Sequence, residues 1–175
     1  DFTVDETEKC FDGNEFRFKD ISTITTEGHY VSKAEWNFGD GSPLVEGKNV
    51  SYSYLSAGTY TITLIVTEMP GGSVDSIKKA VYVRDIPSIA DGTAPDTICD
   101  GSLLQVNTPS VNWNGNTPVE GKWLLEGTIF DPTTKIMSWR DNGKLLQYQV
   151  VTACGVSTSP GVAIAVNAIP TMESI

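Results

Sequence analysis

The residues of this chain whose types and spacing could do chemistry lie in four places. Asp40 stands between two glycines in Trp36-Asn37-Phe38-Gly39-Asp40-Gly41-Ser42-Pro43, where a lone carboxylate could be a metal ligand, an acid or a turn former. Asp85, Asp91, Asp96 and Asp100 crowd one segment, and converging carboxylate oxygens are what calcium requires. Trp113, Trp123, Trp139 and Tyr148 supply aromatic rings, and an exposed ring of that kind offers an apolar face to a sugar. His29 is the one histidine and so the one imidazole base.

Each place also has a plain reading. A metal at Asp40 needs several more oxygen ligands to converge on it. A phosphate loop needs a following lysine and helix, and neither is there. Gly39 and Gly41 allow positive φ on either side of Asp40, and a short carboxylate there accepts backbone N–H bonds. Gly39-Asp40-Gly41 is therefore read as a structural turn. The four aspartates read as a solvated acidic linker, with calcium as the alternative. Trp123 and Trp139 lie in strand-like runs, where a tryptophan packs inward, whereas Trp113 between Asn112 and Asn114 is expected to be exposed. His29, in Thr26-Glu27-Gly28-His29-Tyr30, reads as a loop residue in solvent. Signatures of serine hydrolases, zinc peptidases, β-lactamases and P-loop enzymes are not found, and the chain is read as non-catalytic.

The elements that must position these residues read as β throughout. In Thr59 to Thr67 the residues Tyr60, Ile62, Leu64 and Val66 share one face, and threonines occupy the other. Phe16 to Lys19, Trp36 to Phe38 and Ser51 to Tyr54 alternate in the same way. Turn dipeptides such as Asp12-Gly13, Asp100-Gly101 and Asn142-Gly143 separate the runs. In the second half the expected strands are 103–106, 111–113, 122–125, 136–139, 145–152 and 161–166. With 22 acidic and 12 basic residues the net charge is −10, which repels nucleic acid and anionic membranes. No apolar run approaches the length of a membrane span, so the chain is not expected to be membrane-embedded.

A repeat marks a boundary. Val83 to Ile89 resembles Val166 to Met172, each with a strand-ending valine three residues before Ile-Pro. Proline removes a ladder donor, so this pair suits a stiff connector. The expected division is 1–86, 87–170 and, at 171–175, the start of a linker to a further domain of the same parent chain.

Trp36, Phe38, Gly39, Asp40 and Gly41, followed by Tyr54, Gly58, Tyr60, Ile62 and Leu64, resemble the two ordered motifs of the PKD domain, a β-sandwich; Asn37 replaces the usual aspartate. The segments around Cys99 and Cys154 resemble those of Ig-like modules that accompany PKD domains in bacterial surface proteins. The first resemblance implies a cysteine partner for Cys10 at a place where this chain has Ser73, so Cys10 is expected to be a free thiol. The second implies an inter-sheet Cys99–Cys154 bridge and an oxidising compartment.

The expected fold class is all-β, two tandem Ig-like β-sandwich domains. The expected function is a non-catalytic module of a bacterial cell-surface or secreted protein, extracellular, mediating adhesion or binding a protein or glycan. The alternatives are a structural spacer and a polysaccharide-binding accessory domain of a secreted enzyme. The candidate binding residues are Trp113, Trp139 and Tyr148, the candidate metal ligands Asp85, Asp91, Asp96 and Asp100. No cofactor beyond calcium is suggested.

Overall fold

The computed structural model describes residues 1–91, 95 and 97–168. The chain divides into two compact units, Asp1–Asp85 and Ile86–Ile175. Apart from one 3-10 turn, the regular structure of the described residues is β-strand.

The first unit holds β1 (Phe2–Val4), β2 (Glu8–Cys10), β3 (Glu15–Asp20), β4 (Tyr30–Asn37), β5 (Val45–Glu46), β6 (Asn49–Ser53), β7 (Gly58–Met69) and β8 (Val74–Arg84). They form two sheets, β1-β3-β6 and β2-β8-β7-β4-β5, with β2 parallel to β8. Alternation decides which side chains meet between them. Phe16 and Phe18 of β3 point inward with Phe2, and meet Trp36, Ile62, Leu64 and Val81 from the larger sheet in one core. Trp36 is fully buried, and its indole N–H donates to the Gly47 carbonyl at 2.7 Å. Truncating a buried aromatic of this kind to alanine costs about 3–5 kcal/mol, several times a single turn hydrogen bond. The aromatic contacts therefore dominate the stability of the unit.

The loop after β4 carries the Asp40 turn. Gly39 has φ +77° and Gly41 φ +87°. A Cβ on Gly39 would lie 2.5 Å from the Thr61 carbonyl oxygen, so this glycine is required by close approach as well as by φ. The Asn37 carboxamide accepts from Gly39 N–H at 2.8 Å, and Asp40 Oδ1 accepts from Ser42 N–H at 3.0 Å. Beyond the turn, Phe38 stacks on Tyr52 and Tyr54 on Tyr60, with ring centroids 3.8 and 3.7 Å apart.

The second unit is built from shorter pieces: β9 (Ser88–Ile89), β10 (Ile98–Cys99), β11 (Val111–Asn112), β12 (Lys122–Leu125), β13 (Thr128–Phe130), a 3-10 turn (Trp139–Asp141), β14 (Leu145–Thr152), β15 (Gly155–Thr158), β16 (Val162–Ala163) and β17 (Val166–Asn167). One sheet runs β13-β12-β14-β15, with β16 also on β14; β9 pairs with β11, and β10 pairs in parallel with β17. Ile98, Leu104, Leu125, Met137, Leu146, Ile164 and Val166 form its core, against which Trp123 packs.

Several expected strands are corrected here. Residues 103–106 contribute one isolated bridge, Leu103 to Ile136, rather than a strand. The stretch 136–139 leaves extended structure at Ser138 and enters the 3-10 turn. The expected strand 161–166 is broken into β16 and β17. Prolines, asparagines and glycines are dense between Asn107 and Gly121, and they deprive this region of the donors and stiff side chains a long ladder needs.

The cysteines differ from expectation. Cys10 and Cys154 are each disulfide-bonded, whereas Cys99 is a free, exposed thiol. The expected Cys99–Cys154 bridge is therefore not formed, and Cys10 is not free. On β10 it is Ile98 that faces the core, so period two turns Cys99 outward, while Cys154 sits in the tight turn between β14 and β15. An inter-sheet bridge needs both Cβ vectors directed inward. Alkylation of the denatured, unreduced protein should label one cysteine, and peptide mapping should place the label on Cys99. Label at Cys10 or Cys154 would contradict this assignment.

Candidate functional site

Most of the residues that look chemical in the sequence are engaged in holding the fold. Asp40 Oδ2 accepts the Tyr52 hydroxyl at 2.6 Å in addition to its turn bond. Partial burial opposes its ionisation, but the bonds from Tyr52 and Ser42 outweigh that and hold its pKa below the ordinary value. The neighbouring Tyr54 phenol donates to the Phe38 carbonyl at 2.9 Å, and burial raises its pKa well above that of a free tyrosine.

His29 is half-buried rather than solvated, with Nδ1 3.3 Å from Glu68 Oε2. Glu68 lies on the rim of an open depression of about 520 Å³ in the first unit. Asp1 and Asp75 also line it, over a floor that includes Leu64, Val66 and Ile77. Sequence reasoning missed this depression, because it forms where residues 21–26 meet strands distant in the chain.

The four acidic candidates are not brought together as a ligand set among the described residues. Asp100 Oδ1 accepts the Trp139 backbone N–H at 3.0 Å. Asp85 belongs to the first unit and Asp91 to the second, and Asp96 lies outside the described residues.

The aromatic candidates separate. Tyr148 is only 7% exposed; its ring lies against Gly121, whose N–H donates to the phenol oxygen at 3.0 Å, and its edge meets Trp123. It packs in the core, because position 148 falls on the inward face of β14. Trp113 is half-buried, with its carbonyl accepting from Asn116. Trp139, expected in the core, is 55% exposed.

The reversal at Trp139 has a local cause. Ser138 and Asp141 form a capping box around the 3-10 turn: Ser138 Oγ accepts from Arg140 N–H at 3.3 Å, and Asp141 Oδ2 accepts from Ser138 N–H at 3.0 Å. Asp141, 4% exposed, also takes Lys144 Nζ on Oδ1 at 2.6 Å and Lys135 Nζ on Oδ2 at 3.3 Å. Before the turn, Met137 exchanges backbone bonds with Gly101 and Ser102; after it, Gly143 N–H reaches the Ile164 carbonyl. The indole thus stands in water on a turn fixed from both ends. The Ser138-x-x-Asp141 spacing was the available signal for it. Among the candidate residues, Trp139 is the one whose ring is presented to solvent.

The first unit has a family match. A model of the PKD domain matches residues 3–83. Strand β4, the glycine-flanked Asp40 and the Phe38–Tyr52 and Tyr54–Tyr60 pairs all fall inside that match. No curated protein matches the chain. Two solved structures resemble it more distantly. One, from work on the promiscuous specificity of carbohydrate-binding modules of the β-sandwich superfamily, is 19% identical with a TM-score of 0.45 over 85% of this chain. The chain spans about half of that structure, 51%. The other comprises fibronectin(III)-like modules of CbhA from Clostridium thermocellum, 16% identical with a TM-score of 0.40, covering 95% of this chain and 93% of that one. Similarity at this level indicates no ligand.

The Asp141 carboxylate yields a pH test. Burial works against its charge, yet the bonds from Lys144, Ser138 N–H and Lys135 prevail and place its pKa below the ordinary 3.8. A depressed folded-state pKa stabilises above the unfolded value, and that stability is lost as pH falls below it. Asp141→Asn should cost about 1–3 kcal/mol in urea unfolding at pH 7. The gap to the parent protein should narrow when both are unfolded near pH 3. An unchanged gap would contradict this role.

Proposed function

We propose that the chain is a non-catalytic extracellular module of a bacterial surface or secreted protein, and that it binds glycan through Trp139 in an adhesive role. The observation that carries the reading is an indole 55% exposed on a turn whose backbone is held by the Asp141 and Asp100 bonds. A flat apolar ring on an ordered backbone can stack on a sugar at less cost in freedom than one on a mobile loop. The match of residues 3–83 to the PKD domain supports an extracellular module, and a disulfide fits an oxidising compartment. The engagement of Asp40 and Asp141 in structural bonds supports a binding rather than a catalytic role.

A glycan array probed with the purified chain, with and without calcium, tests this. At least one glycan should be retained, and Trp139→Ala should weaken it roughly thirtyfold, as for loss of a central aromatic contact of about 2 kcal/mol. Trp113→Ala should have a smaller effect. Retention dependent on calcium would favour an ion at the aspartates around residues 85–100. An array without hits would overturn the glycan reading in favour of a spacer or a protein adhesin.

A further inference from the structure

The surroundings of Trp139 differ in charge from the rest of the molecule. On a chain of net charge −10, residues 86–175 contain four basic side chains, Lys122, Lys135, Arg140 and Lys144. Three of these fall within the ten positions that include Trp139. The Arg140 guanidinium carbon lies over the Trp139 ring, 5.4 Å from its centre, as a cation–π contact. Lys135 and Lys144 converge on Asp141 and remain 30% and 40% exposed. Each ammonium has three N–H donors, and Asp141 occupies one on each. Among the described residues no acceptor meets the Arg140 guanidinium, which leaves its planar fork of donors open to solvent.

Building on the glycan reading, we infer that Trp139 and Arg140 form a subsite for an acidic sugar, a uronic acid residue of a polysaccharide. The carboxylate of a uronate is attached to the ring carbons themselves. A sugar ring that displaces the guanidinium from the indole face carries its carboxylate at its own edge, where the displaced fork can form two parallel N–H bonds. Lys144 and Lys135 exceed Asp141 by one positive charge, and three basic side chains within ten positions occur nowhere else on this unit. The surrounding negative charge would repel the rest of an anionic polymer, so binding is confined to this patch. An acidic peptide would satisfy the cations as well, but it has no ring of apolar C–H groups to cover the exposed indole.

The test compares polygalacturonate, alginate and hyaluronate with their methyl esters, which keep the sugar rings and remove the charge, using affinity electrophoresis at low salt. Polyglutamate serves as the acidic peptide. The inference expects retention by at least one acid polysaccharide and at least tenfold weaker retention by its ester. Arg140→Gln should bring the acid form down to the level of the ester, and Trp139→Ala should weaken both. The Arg140 side chain is exposed and takes no part in the capping box, so its replacement leaves the turn intact. Equal or tighter binding of the ester overturns the acidic subsite while leaving Trp139 as a glycan platform. Equal retention by polyglutamate also overturns it. Silence across the acid panel overturns the inference, and silence on the neutral array as well removes the glycan reading with it.

Discussion

The buried carboxylate of Asp141 is the interaction on which the proposed surface depends. In one side chain it terminates the extended run through Met137, closes the capping box on Ser138 N–H and gathers Lys135 and Lys144. A carboxylate only 4% exposed is tolerable because each oxygen is met by a donor. Its two lysines keep much of their hydration, so the ion pairs themselves add little. The larger contribution is geometric. With the turn closed, Met137 faces the core and Trp139 faces water, two residues apart in a stretch that alternation alone would have put on one face. Position and charge at the site thus have a common origin.

The first unit follows a different economy. Its stability rests on aromatic burial between two sheets, and its acidic, glycine-rich loop is a fitting that lets β4 turn away at Thr61. Gly39 has no room for a side chain, and Asp40 joins that loop to β6 through Tyr52. Conspicuous loop carboxylates such as this one are explained by backbone donors that need an acceptor.

Much of the first unit was legible because its signal is local. The alternation in β3 and β7 and the glycines around Asp40 depend on neighbours in sequence, and side chains follow a period of two. The second unit was less legible for the same reason inverted. Among its described strands β9, β10, β11, β16 and β17 are two residues long, too short for periodicity to register, and Leu103 finds Ile136 across more than thirty positions. Trp139 was misplaced because an apparent strand, Ile136-Met137-Ser138-Trp139, conceals a capping box whose partner lies two residues beyond it. Cys99 was misplaced because a resemblance in the segments around two cysteines carries no information about which face of a strand each occupies. The depression beside Glu68 involves segments that only the fold brings together.

The central claim is that the Trp139 indole is rigid although it is wet. The most direct measurement is the 15N relaxation of its side-chain N–H, combined with its rate of exchange with solvent. The account predicts an order parameter near that of ordered backbone, about 0.85, together with unprotected exchange. An order parameter below about 0.6 would mean a mobile side chain, and slow exchange would mean a buried one. Either result would contradict a preformed platform.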